Sequence, residues 1–474
     1  MKKIIFYIFL LFFVFASCKD DEITTDPQYK LEYSVDTVSF DTILGGILTP
    51  YQTLKVFNRS GEKIKIATIN YTSSNEYFMI NINGRNSHNV TNVEIADGDS
   101  IYIFVQTNGD YKDPDIQFAL LDSISFSYNG NVDYVYLSAF SEKPIFLDHF
   151  VISSDTTFSG SQPYFVKDTL KVEEGATLNI EAGVRLYFYN GASLYVDGSL
   201  NCNGDVDNQI EMRYFRNDQI FSDLKSDRYL APGNWKGVIL TQKSGDCKIL
   251  STNIIGAYQC LVVDSAFKDR KITIGNSQIY NARQGTLVSE SSQIYAYNTL
   301  FANGGHYNVY LQDGKYLFNH CTIASYLDFG LSSKNPSLYL NKKDSLSVDI
   351  NNSIVCGNNK KKNNKEDKRI DLDNVTHNLN DSIDGKNFRL NIVCSAISRT
   401  DSLTGENNYG NIWDYDAKIY IKNKFFMDFK TDSLSPYRTI GSDAILKLYP
   451  ECATDIFGKS RVDDELPDAG AFEY

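Results

Sequence analysis

The sequence predicts an all-β protein in two parts, a β-sandwich of short strands followed by a long parallel β-helix. Three observations carry this. Tyr (32) and Phe (29) are abundant, Val, Ile, Asn and Gly are common, and stretches with apolar residues at helical spacing are few. Between residues 30 and 141 short runs alternate apolar and polar, with turn signals between them. Beyond residue 150 an asparagine-led unit recurs at near-constant spacing, the mark of a solenoid. At 474 residues the chain is also too long for one compact core.

The chain opens Met1-Lys2-Lys3, runs apolar from Ile4 to Ala16 and reaches Phe15-Ala16-Ser17-Cys18. Two lysines, a short apolar stretch and small residues before a cut describe a secretory signal over residues 1–17. The run is too short to cross a bilayer and is followed at once by charge. Cys18 behind Ala16 and Ser17 resembles the lipobox of bacterial lipoproteins, departing from it at Phe15, where Leu is preferred. The resemblance implies that Cys18 is acylated, becomes the new N-terminus and holds the protein on outer-membrane lipid. The plainer alternative is an ordinary signal peptide that happens to contain a cysteine. Residues 18–29 then form an acidic tether. Within it, Lys19-Asp20-Asp21-Glu22 resembles the tag that carries some Gram-negative lipoproteins to the outer leaflet, which implies surface exposure. A solvated spacer on a periplasm-facing anchor is the competing reading. No later segment is apolar and long enough to span, so lipid is the only membrane attachment expected.

Loss of Lys2 and Lys3 with the signal takes the formal charge from −13 to −15. Such a balance argues against nucleic acid or anionic lipid as a general partner. Besides Cys18 there are Cys202, Cys247, Cys260, Cys321, Cys356, Cys394 and Cys452, an odd number for an oxidising compartment. No CxxC pair or Cys/His cluster has zinc spacing, so neither metal nor cofactor is expected. Most of these cysteines flank β-like runs, as buried small hydrophobes do. One or two disulfides would suit the compartment, and their pairing stays open.

From residue 30 to 141 the alternating runs are Thr37–Thr42, Thr53–Phe57, Lys63–Ile66, Ser100–Val105, Ser123–Tyr128 and Val132–Leu137. Asn58-Arg-Ser-Gly61, Asp97-Gly98 and Asn129-Gly130 supply turns. Six short strands in about 110 residues point to an immunoglobulin-like sandwich. It has no Cys-Trp-Cys core. It resembles the Ig-like modules that precede larger domains in bacterial surface lipoproteins, which implies a spacer role, with Ser141-Glu-Lys-Pro144 as the junction.

Residues 150–474 read as a parallel β-helix. Gly175-Ala-Thr-Leu178 and Gly191-Ala-Ser-Leu194 both enter strands. Then come Asn253-Ile-Ile255, Asn276-Ser-Gln-Ile279, Asn298-Thr-Leu300, Asn319-His-Cys-Thr-Ile323 and Asn352-Ser-Ile354. The last aliphatics step by 24, 21, 23 and 31 residues. Steps near 22 fit a coil of three short strands and three turns, stacked about 4.8 Å from the next. Ile279, Leu300 and Ile323 should then share one inward column. The asparagines should form a ladder along the axis, with Asn281, Asn303 and Asn358 as a second one. An insertion near 357–390 accounts for the long step. Its segment Lys360–Arg369 holds six basic residues in an acidic protein, read as a solvated loop or as a contact for an acidic glycan or neighbour.

The Gly-Ala-Thr-Leu and Gly-Ala-Ser-Leu units, Asn234-Trp-Lys-Gly-Val238 and Asp468-Ala-Gly-Ala-Phe-Glu473 resemble the right-handed parallel β-helix repeat lipoproteins of bacterial surfaces. The resemblance implies a right-handed coil over residues 150–474. It says little of function, because this architecture carries lyases, hydrolases, adhesins and stalks alike.

No residue stands out as catalytic. A polysaccharide lyase needs a base beside a uronate carboxylate and a Ca²⁺ or cationic clamp to neutralise it. Asp264, Lys268, Asp269, Arg270 and Lys271 bring those types together, but in one local run, where a charged turn explains them. A glycoside hydrolase needs paired carboxylates on adjacent coils. The Asn-Thr-Asp, Asp-Asp and Gly-His-Gly motifs of polygalacturonases are absent, and Gly305-His306 lacks the second glycine. His306 and His320 read as structural histidines. Tyr295, Tyr297, Tyr307 and Tyr310 suit sugar stacking or stacking along the coils. The expectation is therefore a cell-surface lipoprotein that binds a polysaccharide or a surface protein through the β-helix flank, without catalysis. A carbohydrate-active enzyme is the first alternative and a structural stalk the second.

Overall fold

The structure is a computed structural model that describes residues 22–71, 77–109, 117–221, 226–265, 271–326, 336–357, 375–379, 387–397, 410–412, 421–423, 428–431, 435, 438–463 and 466–474. The chain divides into two compact units, parted between Lys143 and Pro144. Both are built from strands. Among the described residues the helices are single turns or little more, at Arg228–Leu230, Asp443–Leu448 and Pro450–Cys452.

The first unit is a sandwich of two sheets. One contains Lys63–Tyr71, Gln117–Tyr128, Asn131–Glu142 and Thr37–Leu44, with Ile23–Thr24 and Asn89–Ile95 both on Lys63–Tyr71. The other runs Leu31–Tyr33, Gln52–Asn58, Ser100–Thr107, Phe78–Ile82, Arg85–Asn86. All six runs read from the sequence are strands here. The alternation has the expected cause: Leu54, Val56, Ile64, Ile66, Ile103, Ile124, Phe126 and Leu137 all face one core between the sheets and are fully buried. Asn129 and Gly130 close a two-residue hairpin with φ of 44° and 75°. That pairing of positive φ is what the Asn-Gly signal encodes.

The second unit is a parallel β-helix. Nine coils, among the described residues, each give one strand to each of three faces. The first face stacks Ile145–Leu147, Tyr164–Val166, Arg185–Phe188, Ile210–Tyr214, Thr252–Ile255, Gln278–Ala282, Leu300–Gly304, Thr322–Ser325 and Ile354–Gly357, with Ala396–Ile397 from a tenth coil. The second face runs from Val151–Ile152 to Val375–Leu379, and the third from Thr156–Phe158 to Phe388–Val393. In coils 6 to 8 one long strand serves both faces, as Gly285–Tyr297, Tyr307–Asn319 and Leu338–Asn351.

The inward column of the first face is Leu186, Met212, Ile254, Ile279, Phe301, Ile323, Val355 and Ile397, joined residue to residue by the strand register. Each is fully buried, worth roughly 1.5–3 kcal/mol apiece. Of the five aliphatics spaced in the sequence, Ile255, Leu300 and Ile354 fall outside this column: Ile255 pairs with Tyr280 and Ile354 with Thr322, while Ile254 and Val355 take the inward places. Leu300 pairs with Gln278 and Thr322, and Phe301 takes the inward place. Side chains alternate along a strand, so anchoring on the first aliphatic after Asn298 slipped the reading by one residue. Leu300 faces outward and is buried under the C-terminal segment with Ala302, Ile456, Ala471 and Phe472.

Two further readings shift. Leu178 and Leu194 are not successive-coil equivalents. Leu178 pairs with Leu200 on the third face and Leu170 with Leu194 on the second, so the Gly-Ala units mark two corners. The long step from Ile323 to Ile354 is not made by the basic segment, which follows it. The additional residues lie between Ser325 and Leu338 and in a register shift after Gln312/Asn341. Lys360–Arg369, like Asn358, lies outside the described residues.

The asparagine ladders are real, with altered membership. One corner stacks Ser251, Asn276, Asn298, His320, Asn352 and Cys394, all with φ between 43° and 50°. Asn tolerates this left-handed conformation and adds an axial bond: Asn298 Nδ2 donates to Asn276 Oδ1 at 3.0 Å, and Asn352 Nδ2 meets His320 Nε2 at 2.9 Å. Asn253 and Asn319 sit off this corner; Asn351 Nδ2 donates to Asn319 Oδ1 at 3.0 Å in a neighbouring rung. The second ladder holds for Asn281 and Asn303, at 3.1 Å. Directly after the corner, Ser277, Ser353 and Ser395 hydroxyls accept the N–H of the coil below and donate to carbonyls, which satisfies buried backbone.

Two of the sequence motifs prove to be packing devices. Trp235 is buried, stacks on Phe188 at 4.1 Å and donates Nε1–H to Ile255 O at 2.8 Å. In Asp468-Ala-Gly-Ala-Phe-Glu473, Gly470 has φ +97°, and a Cβ there would meet Ile354 and Thr322 at 2.8 Å. Its N–H bonds Asn352 O, and Ala471 N–H bonds Thr322 Oγ1. Arg461, fully buried, pairs with Glu473 at 2.6 Å and holds the carbonyls of Asp468 and Gly470.

Candidate functional site

The outer surface of the third face carries a groove of about 510 Å³ across coils 5 to 9. Residues that alternate outward on a strand line up along the axis when strands are in register. One such row is Lys271, Gln293, Lys315, Ser347 and Arg389, paired in that order. Beside it runs Thr273, Tyr295, Leu317, Asp349 and Asn391. Lys271, Lys315 and Arg389 are exposed, whereas Thr273, Tyr295 and Leu317 are half-buried and form the floor. The groove is thus a weakly apolar trough with cations along one side.

The C-terminal segment shapes it. Tyr449 packs on Tyr295 with ring centroids 5.7 Å apart, and Tyr295 Oη donates to Glu451 at 2.5 Å. Burial, reinforced by this carboxylate, holds the Tyr295 phenol far above its usual range. It is a locked hydrogen-bond donor and a poor proton acceptor. Asp349, the carboxylate in the lining, accepts from Arg389 at 3.0 Å and also from Asn391. Neither Lys271 nor Lys315 has an ion-pair partner among the described residues.

A second recess, about 410 Å³, collects Asp197, Asp264 and Glu290 near Tyr195 and Thr241. Asp197 accepts from Thr241 Oγ1 at 2.7 Å and lies 3.3 Å from Lys171. No group of His, Cys, Asp and Glu among the described residues is arranged to hold a metal ion. On the second face Tyr307, Tyr310 and Tyr339 form a short aromatic run, with centroids 5.0 and 5.5 Å apart. Asn341 Nδ2 donates to Tyr310 Oη at 2.7 Å, which fixes that ring.

The residues singled out in the sequence scatter over these features. Cys18, Lys19, Asp20 and Asp21 lie outside the described residues, and Glu22 is exposed ahead of the first strand. Asp264 lies in the acidic recess and Lys271 at the end of the cationic row, so the charged run is split between two sites; Lys268, Asp269 and Arg270 are outside the described residues. His306 is exposed, while His320 is fully buried in the corner ladder, and burial lowers its pKa well below the usual range. Tyr297 is buried beside Leu446 and Cys452. All seven cysteines after Cys18 are free thiols, and Cys394 is the least buried. Burial pushes the Cys260 and Cys452 thiols up to about 12, so these are inert packing groups.

Lys315, Gln293, Ser347 and Arg389 were not picked out from the sequence. Lys271 and Lys315 stand two bare coils apart, a signal that the 22-residue period held. Arg389 was masked by the additional residues of coils 8 and 9.

No helix among the described residues is long and apolar enough to cross a membrane. No family model matches this sequence, and no curated protein matches it. Among solved structures, the chain has similarity to a protein of unknown function from Porphyromonas gingivalis W83, at 13% identity, with a TM-score of 0.17 over 23% of this chain and 45% of that one. Another similar structure is the VesB protease of Vibrio cholerae, at 14% identity, with a TM-score of 0.18 over 25% of this chain and 33% of that one. The chain spans less than half the length of either, and at such TM-scores neither likeness bears on fold or function.

Proposed function

We propose that this chain is a lipid-anchored surface lipoprotein whose right-handed β-helix binds a glycan, without cleaving it, in the groove of the third face. The anchor reading rests on Cys18 behind Ala16 and Ser17, and the surface address on Lys19 to Glu22. The Ig-like unit serves as the spacer. The binding reading rests on one observation: an open trough of about 510 Å³ whose floor carries Tyr295 and Leu317 and whose side carries Lys271, Lys315 and Arg389. A sugar presents an apolar face and a polar edge, and such a trough meets both.

A lyase is the second reading, and a specific observation favours it. Lys315, Arg389, Tyr295 and Asp349 converge from different coils, as a β-helix active site requires. Against it stand the locked Tyr295 phenol and the Asp349 carboxylate already engaged by Arg389 and Asn391. One experiment separates the two. The protein is run through gels cast with uronate-containing or neutral polysaccharides, and parallel mixtures, with and without Ca²⁺, are followed for unsaturated products and new reducing ends. Retarded migration with no product is expected. Product formation that disappears in Lys315→Ala or Arg389→Ala would promote the lyase. No retardation in any polysaccharide would overturn the glycan reading.

A further inference from the structure

The cationic row has a period of its own. Along Lys271, Gln293, Lys315, Ser347 and Arg389, successive in-register positions read positive, neutral, positive, neutral, positive. The cations therefore recur on every second coil, about 9.6 Å apart at the usual strand spacing. The row stands out in a chain whose formal charge is −13. It is also unlike the neighbouring row, Thr273, Tyr295, Leu317, Asp349 and Asn391, which holds no cation. The cations are not equivalent. Arg389 shares its charge with Asp349 at 3.0 Å, whereas Lys271 and Lys315 point into the groove with no ion-pair partner among the described residues.

An extended polysaccharide lying along the axis repeats its disaccharide over nearly the same distance as two coils. We infer that the groove takes an acidic glycan with one anionic group per disaccharide, an alternating uronate–hexosamine chain, laid parallel to the β-helix axis. Lys271 and Lys315 meet successive anions. Gln293 and Ser347 face the intervening neutral sugars, where an amide and a hydroxyl suit hydroxyl and acetamido groups. Tyr295 and Leu317 underlie the apolar sugar faces. A glycan with a carboxylate on every sugar would set alternate anions opposite neutral side chains in a strongly acidic protein, and would bind less well. The inference rests on the glycan-binding reading and names the ligand class of that same groove.

The test uses the full chain in detergent micelles and three oligosaccharide probes of equal length. These are an alternating uronate–N-acetylhexosamine, a homopolymeric uronate and a neutral glucan, each titrated by calorimetry at low and at physiological salt. The alternating probe should bind at least ten-fold tighter than the other two, and more weakly as salt rises. The exposed double variant Lys271→Gln/Lys315→Gln should lose at least ten-fold for that probe. Gln293→Lys, which puts a cation on three consecutive coils, should narrow the gap between the two acidic probes. Equal or tighter binding of the homopolymer, or binding of the neutral probe alone, overturns the inference and leaves the glycan reading standing. So does full affinity in the double variant. If none of the probes binds, and the wider polysaccharide panel also fails, the glycan reading itself falls and the inference with it.

Discussion

Leu300 and Phe301 are adjacent and both fully buried, yet they belong to different parts of the molecule. Phe301 stands between Ile279 and Ile323 in the inward column and meets the Phe318 ring edge-on at 6.1 Å. Both column neighbours are themselves fully buried and held at strand spacing, so the space left by Phe301→Ala cannot close. The cost should be about 4 kcal/mol. Leu300 instead packs under Ile456, Ala471 and Phe472. Leu300→Ala should cost about 3 kcal/mol, felt where the C-terminal segment docks. In a solenoid such losses stay local. Peptide-level hydrogen exchange reads the difference. Phe301→Ala should raise exchange in 278–325 by up to a thousand-fold, the equivalent of about 4 kcal/mol. Leu300→Ala should raise it chiefly in 453–474. The opposite assignment, with Leu300→Ala opening the coils and Phe301→Ala loosening only the C-terminal segment, would refute the register.

Three other outcomes follow. Burial keeps His320 neutral in the fold, whereas the unfolded imidazole takes a proton near pH 6.5. The unfolded state thus binds more protons below that pH, and stability falls as pH drops below about 6.5, by up to about 1.4 kcal/mol per unit. His320→Asn, which matches Asn298 and Asn352 in the same corner, should flatten urea-midpoint profiles between pH 7.5 and 5; an unchanged slope would acquit His320. Arg461→Met leaves the fully buried Glu473 carboxylate without its ion pair and should cost about 3–5 kcal/mol, measured as loss of the cooperative transition or early proteolysis of the C-terminal segment. Cys18→Ser should abolish fatty-acid incorporation, and alanine at Lys19, Asp20, Asp21 and Glu22 should keep the protein in membranes but shield it from protease added to intact cells. Labelled fatty acid in the first variant, or unchanged digestion in the second, would count against the anchor and the address respectively.

The sandwich was legible because its strands alternate cleanly and Asn129-Gly130 specifies a tight hairpin. Phe78–Ile82 and Asn89–Ile95 were passed over because asparagines and glycines crowd their ends and mimic loops. The period was legible where the coil is bare, as from Ile279 through Phe301 to Ile323, each step being 22 residues. It was hidden where loops enlarge it, between Met212 and Ile254 and again between Val355 and Ile397. The exact inward residue was not legible after Asn298, since Leu and Phe are both apolar and only the register with Ile279 decides. The groove escaped for a related reason. A β-helix site is assembled across coils, so Lys271, Lys315 and Arg389 lie along one row through pairing though distant in sequence, while Asp264 and Lys271, seven residues apart, line different recesses.

The claim that the third-face groove binds a glycan is tested most directly by a lysine-labelling footprint. The protein is acetylated with and without a saturating polysaccharide that retards it, and each lysine is quantified by peptide mass spectrometry. Protection of Lys271 and Lys315, with Lys55 in the sandwich and Lys243 by the acidic recess labelled as before, is the predicted pattern. Saturating glycan that leaves Lys271 and Lys315 as reactive as in the free protein would contradict it.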